Sequence, residues 1–226
     1  MRKHFLCLRV RLFVNPLEKA VLLLFIFVIL GGMTSCLGVN ADIVLNADNS
    51  GTLNLEYRIS HILDSLGRLE GNEGRPTIPV GRLDFQRTVD RIPGMRLLSF
   101  NSREDTRDRI ITARLQFSNI DALLSFLDAA GEKAVYYTRG DSQMLSFTLN
   151  QGGRPRNPEM DALIAQISQG YNVNINMTIA SGEISAALNA MGPGVEIRSQ
   201  GRRASASLPL GFILSAENPL NLEFRW

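Results

Sequence analysis

Thiols and imidazoles are scarce in this chain. It has two cysteines, Cys7 and Cys36, and two histidines, His4 and His61, in 226 residues. A structural zinc site takes about four nitrogen or sulfur ligands, and His61 has no second histidine or cysteine near it to complete one. No cofactor is expected. Residues 37–226 contain no cysteine, so no disulfide forms within them and the fold must rest on its core. An excess of positive charge is missing too. Residues 1–35 hold five of the 24 Lys and Arg and one of the 22 Asp and Glu, which leaves residues 36–226 with a net charge of −2. That excludes the broad basic field on which phosphate-backbone binding depends, so nucleic acid is not an expected partner. The sequence also holds no Gly-x-Ser-x-Gly elbow and no phosphate loop. No catalytic or metal-binding residue is assigned.

What is present begins with an unbroken apolar run, residues 20–30, preceded by Arg2, Lys3, Arg9, Arg11 and Lys19. The run is short for a spanning helix, which needs roughly 20 apolar residues. It has the length of a signal-peptide core, about 7 to 15 residues behind a basic flank. Gly31-Gly32 and the tetrad Met33-Thr34-Ser35-Cys36 follow. The tetrad resembles the lipobox of bacterial lipoproteins: an apolar residue, two small residues and a cysteine. The resemblance implies that Cys36 receives a diacylglycerol through a thioether, that the chain is cut before it, and that the new amino terminus is acylated, often with palmitate. It implies a signal peptide over residues 1–35 and an exported protein held to a membrane by lipid, on the inner or the outer membrane, facing the periplasm or the exterior. Two other readings of the same residues stay open: plain cleavage near Ser35, or an uncleaved single-pass anchor extended through Gly38.

Residues 36–40 read as a short tether and residues 41–226 as one domain, a length that supports a sizeable core. Residues 41–46 and 52–60 read as a hairpin, because Leu53, Leu55, Tyr57 and Ile59 alternate with Thr52, Asn54, Glu56 and Arg58. Between them, Asp48-Asn49-Ser50-Gly51 is a turn, with Gly51 as the residue for positive φ. Asp48 and Ser50 lack the later acids of a calcium loop. Helical stripes are expected over residues 60–69, 80–92, 120–131 and 157–170. Ser118 and Asp121 suit the start of the third helix, and Asn157-Pro158-Glu159 the start of the fourth. Residues 95–100 and 109–117 form strands around a densely charged tip, 102–108, that reads as solvated. Residues 133–138 and 143–150 form a hairpin around Arg139-Gly140-Asp141-Ser142, where turn chemistry accounts for Gly-Asp without an adhesion role. Gly152-Gly153-Arg154 reads as a connector rather than an anion site.

The clearest strand is 171–180. Tyr171, Val173, Ile175, Met177 and Ile179 face one side; Asn172, Asn174, Asn176 and Thr178 face the other, an asparagine row open to water or to sugar. Residues 195–200, 204–214 and 220–226 alternate as well, and Trp226 is expected to face inward. The segments Gly194-Val195-Glu196-Ile197, Ala206-Ser207-Leu208-Pro209-Leu210 and Pro219-Leu220-Asn221-Leu222-Glu223-Phe224-Arg225-Trp226 resemble the tail of LppM-type bacterial lipoproteins. The turn Asp48-Asn49-Ser50-Gly51-Thr52-Leu53 resembles the start of their mature domains. That resemblance implies an α+β envelope domain and carries no functional residue across.

The expected fold is therefore α+β: a largely antiparallel sheet built from hairpins, with about four helices packed on it, after an N-terminal lipoprotein signal peptide. The expected function is a lipid-anchored cell-envelope lipoprotein whose domain is a non-catalytic binding or structural module. Its partners are membrane lipid through acylated Cys36 and an envelope lipid, glycan or protein. The alternative is an envelope hydrolase working through carboxylates, since two acids need only meet in space.

Overall fold

A computed structural model describes residues 37–60, 81–106, 108–129, 133–152, 168 and 170–226. All belong to one compact unit, Cys36–Trp226. In chain order the elements are β1 Leu37–Leu45, β2 Gly51–Ser60, α1 Arg82–Asp90, β3 Met95–Glu104, β4 Asp108–Phe117, α2 Ile120–Ala129, β5 Lys133–Arg139, β6 Ser142–Asn150, β7 Tyr171–Ile179, β8 Ser185–Leu188, β9 Glu196–Gln200, β10 Arg203–Pro209, α3 Leu210–Ser215 and β11 Leu220–Arg225. The strands make a seven-stranded sheet, ordered β3-β4-β2-β1-β7-β10-β9, and a four-stranded sheet, β5-β6-β11-β8. Every pairing is antiparallel except β1 with β7. The fold is thus α+β with mostly antiparallel sheets. The expected hairpins form, but the β5–β6 pair joins β11 and β8 in a sheet of its own.

Among the described residues there are three helices, not about four. Two of them, α1 and α2, fall where the apolar stripes put them. The third is a correction: residues 210–215 alternate like a strand yet form α3. Pro209 has no amide proton to continue a ladder, and its extended backbone at φ −58°, ψ 132° serves as the N-cap of the helix. The helices expected over residues 60–69 and 157–170 lie outside the described residues, apart from Ser60, which ends β2, and Ser168 and Gly170. A second correction concerns residues 37–40, read as a tether. They belong to β1, where Leu37 through Asn40 run in register with Tyr171 through Asn174 of β7.

Local chemistry explains the turns. Asp48 accepts from the Ser50 hydroxyl at 2.6 Å and from its amide at 3.0 Å, which holds the Asp48 carboxyl below its usual pKa. The positive φ falls on Asn49, at 61°, not on Gly51. Gly51 is needed for another reason: a Cβ there would lie 2.0 Å from the Val44 carbonyl and 2.5 Å from the Phe117 ring. The cap of α2 is Asn119 rather than Ser118, since its Oδ1 accepts from the Ala122 amide at 2.8 Å.

The inner face of the seven-stranded sheet carries Ile43, Leu53, Ala113, Leu115, Ile175, Met177 and Leu208, all buried. Phe85 and Val89 of α1, Leu123 and Phe126 of α2, and Leu145, Phe147, Leu222 and Phe224 of the smaller sheet join them in one contiguous apolar core. Phe85 packs against Phe100 and Phe126 at ring-centroid distances of 5.5 and 6.5 Å. Trp226 is half-buried, 6.1 Å from the Tyr136 ring, and its amide and carbonyl both pair with Gln143.

Candidate functional site

The opposite face of the seven-stranded sheet is not covered by the core, and its register produces continuous polar rungs. One rung runs Ser99, Arg114, Asn54, Asp42, Asn176, Ser205, Arg198 across all seven strands. A second runs Asn101, Thr112, Glu56, Asn40, Asn174, Ser207, Glu196, and a third Arg96, Gln116, Thr52, Val44, Thr178, Arg203, Gln200. Val44 is the one apolar side chain in the three rungs. The strands contribute alternate residues to this face, apart from one extra residue at the bulge between Leu97 and Ser99 of β3, which is why period-two alternation with polar partners produces it.

The asparagine row lies at its centre. The parallel register of β1 and β7 sets like residues side by side, and the Asn174 amide donates to Asn40 Oδ1 at 2.6 Å. One rung along, Asn176 donates to Asp42 Oδ1 at 2.7 Å. Part of the charge on this face is paired within strands: Arg198 with Glu196 at 2.7 Å and Arg58 with Glu56 at 3.3 Å. Two adjoining shallow depressions lie over β2, β1, β7, β10 and β9. One, of about 250 Å³, is lined by Asn40, Asn174, Asn176, Glu196, Arg198 and Ser207. The other, of about 530 Å³, is lined by Asp42, Asn54, Thr178, Gln200 and Arg203. The face therefore offers amides, hydroxyls and paired charges on a lattice of about 4.8 Å across strands and about 6.8 Å along them. Such a surface can exchange hydrogen bonds with an extended polar partner.

The other residues singled out in the sequence have structural roles where they are described. Glu104 pairs with Arg109 at 2.7 Å, and Asp105 accepts from the Asp108 amide at 3.3 Å, so both acids brace the β3–β4 turn. Asp108 departs from the expected solvated tip: it is 2% exposed, and the Tyr171 hydroxyl reaches its Oδ1 at 3.4 Å. That hydrogen bond comes from a residue far along the chain, which no local pattern signals. Gly140 takes φ 60° at the first position of the two-residue β5–β6 turn, as a II′-type hairpin requires. That turn chemistry accounts for Arg139-Gly140-Asp141. Met33, Thr34, Ser35, Cys36, His61 and Gly153-Arg154 lie outside the described residues. Among the described residues, no group of three or more His, Cys, Asp or Glu is placed to hold a metal. No helix among them is long and apolar enough to cross a membrane.

Tyr57 lies on the buried face that its alternation predicts, but its hydroxyl has no signal in the sequence. Tyr57 is 7% exposed, stacks on Phe85 with ring centroids 6.2 Å apart, and its hydroxyl has no hydrogen-bond partner. Burial, with Asp84 nearby, pushes its pKa far up.

No protein-family model matches the chain, and no curated protein matches it. Among solved structures, the NMR structure of the folded domain of Mycobacterium tuberculosis LppM aligns over 84% of this chain and 90% of that one, at 12% identity and a TM-score of 0.42. At that identity and TM-score the likeness identifies neither a family nor an activity.

Proposed function

We propose that the protein is a lipid-anchored envelope lipoprotein whose exported domain is a non-catalytic binding module, with the open face of the seven-stranded sheet as its contact surface. The observation that carries the binding reading is the set of complete polar rungs around the Asn40–Asn174 and Asp42–Asn176 pairs. The surface is broad and shallow, which suits a glycan chain or a polar protein surface better than a small substrate, since small-molecule sites are concave and mostly apolar. The carboxylate-hydrolase alternative is disfavoured by what its acids do: Glu104 and Asp105 are tied into turn structure, and Glu196 into an ion pair.

Attachment rests on Cys36 and the residues before it. Feeding cells a clickable fatty acid should label the wild-type chain and leave Cys36→Ser unlabelled and unprocessed. An unlabelled wild-type chain would refute the anchor. More than one acyl chain is needed for stable attachment, because a single chain binds a membrane only marginally. The contact surface is tested by thermal shift of the purified full-length chain against envelope glycans. A ligand at 100 times its dissociation constant adds about 2.7 kcal/mol of stability, and the shift should vanish in Asn174→Leu. Turnover of a glycoside, ester or peptide substrate that disappears in Asp42→Asn would replace the binding reading with catalysis.

A further inference from the structure

At the end of the seven-stranded sheet where β1 begins, the described residues of β1, β7 and β10 and the segments beside β10 carry no charge. Gly38, Asn172 and Pro209 share a rung there. From Pro209 the chain turns directly into α3, and the loop 189–195 packs against that helix. A Cβ on Gly192 would lie 2.3 Å from the Phe212 ring, and one on Gly194 would lie 3.0 Å from the Pro209 ring. Residues 37–41, 170–175, 189–195 and 208–216 meet at this end and contain no Asp, Glu, Lys or Arg. Among the described residues, charge resumes at Glu196 and Glu217, at the Arg58–Glu56 pair of β2 beside β1, and at Arg103, Glu104 and Arg109 of β3 and β4. The lip is apolar as well as uncharged. Met191 is 66% exposed, and Leu210, Phe212 and Leu214 are half-buried, so each presents part of its side chain to the outside.

We propose that this lip, formed by Met191 and the exposed parts of Leu210, Phe212 and Leu214, rests in the interfacial layer of a lipid bilayer. The inference builds on the reading of Cys36 as the acylated residue. Cys36 immediately precedes Leu37, the first residue of β1, so no spacer separates the anchor from the folded sheet. One residue spans at most about 3.6 Å, which holds the Gly38–Asn172–Pro209 rung within a few residues' reach of the acyl chains. At that distance some part of the domain must meet the headgroups. A surface without charge enters that layer at no cost in ion desolvation, while Met, Leu and Phe gain from the apolar boundary. Seated this way, the lip uses the end of the sheet and leaves the polar rungs of its open face accessible.

The test places an environment-sensitive nitrobenzoxadiazole label on the full-length chain at Met191→Cys, in a Cys7→Ser background. A matched label goes at Ala47→Cys, in the turn at the opposite end of β1. Each chain is reconstituted into vesicles of phosphatidylcholine and phosphatidylglycerol carrying a lipid spin-labelled near the headgroup. The label at 191 should emit to the blue of the label at 47 and be quenched several-fold more. Equal, weak quenching at both sites in a chain whose Cys36 carries a diacylglycerol by mass spectrometry would overturn the lip and leave the anchor standing. Strong quenching at 191 in a vesicle-bound chain that also carries Cys36→Ser would support the lip without the anchor. A blue emission at 191 that is unquenched by lipid and lost at one copy per vesicle would mean that a second copy covers the lip, and would overturn the proposal.

Discussion

Replacing Tyr57 with Phe tests the packing of the core at its one unpaired polar atom among the described residues. The hydroxyl is buried and makes no hydrogen bond, while the ring stacks on Phe85 with an interplanar angle of 27°. Leaving a buried hydroxyl unpaired costs about 1–3 kcal/mol on the scale of protein mutations. Tyr57→Phe removes that cost and keeps the ring and its contacts, so the variant should be more stable by about 1 kcal/mol. For a domain of this size that is roughly 2–4 °C in Tm. Urea unfolding should show a higher midpoint with an unchanged slope, since the exposed surface barely differs. The pH dependence gives an independent reading. The pKa of Tyr57 is raised in the folded state, so its phenol keeps its proton when the unfolded chain, titrating near 10.0, has lost it. The folded state then binds more protons, and stability falls as pH rises through and above 10.0. That alkaline loss should be shallower in Tyr57→Phe. A variant about 1 kcal/mol less stable than wild type, with an unchanged alkaline limb, would show that the hydroxyl is bonded and refute the reasoning.

Ile175→Asp should unfold the unit or cost several kcal/mol, because it leaves an unpaired charge in the core; guanidinium unfolding of the matched variants checks it. On the polar face, Asn174→Asp should cost under about 1 kcal/mol, since Asn40 can turn its amide to donate instead. Asn176→Asp should cost more, and more at low salt, because it sets a second carboxylate against Asp42. Equal losses at Asn174 and Ile175 would reverse the assignment of faces. Gly51→Ala should destabilise strongly, as its Cβ would meet the Val44 carbonyl, whereas Gly140→Ala, with open space around it but φ 60°, should cost only about 1–2 kcal/mol. Calorimetric Tm values of the two glycine variants separate crowding from backbone strain.

The parts of this fold that the sequence reveals are those with a local cause. Leu53, Leu55, Tyr57 and Ile59 alternate over consecutive residues, and Asp48-Asn49-Ser50 bonds to itself, so β2 and its turn are legible without knowing what lies opposite. Leu210, Phe212 and Leu214 extend the alternation of β10 by three steps, and six residues are too few for a helical stripe to compete with it. Only Pro209 marks the change. β1 extends back to Leu37 because β7, more than a hundred residues later, supplies its parallel ladder. Gly38 and Asn40 have no intrinsic preference for a strand, and so they read as a tether. The same distance in sequence hides the hydrogen bond between Tyr171 and Asp108 and the pairing of β11 with β6 that makes the second sheet. For the candidate site, the asparagine row is visible as an alternation in β7. Its partners Asn40 and Asp42 appear only once the parallel register is known.

The position of β1 bears on how an anchor at Cys36 would act on this unit. β1 is the middle strand of the seven, paired antiparallel to β2 on one side and parallel to β7 on the other. A load applied at Leu37 therefore enters the sheet at its centre, along a strand whose side chains Ala41, Ile43 and Leu45 are buried. Pulling β1 free would break two ladders at once, together with the Asn40–Asn174 and Asp42–Asn176 bridges. An edge strand such as β9, paired only to β10, would peel away one ladder at a time. A spacer would serve to decouple an anchor from a fold, and here none is present after residue 36. An anchor at Cys36 would instead limit the orientations of the sheet to a membrane, because the central strand and the attachment point would be contiguous. Orientation is what a binding face needs if its partner is itself held in the envelope, since a rigid mount raises the local concentration of one surface toward one direction.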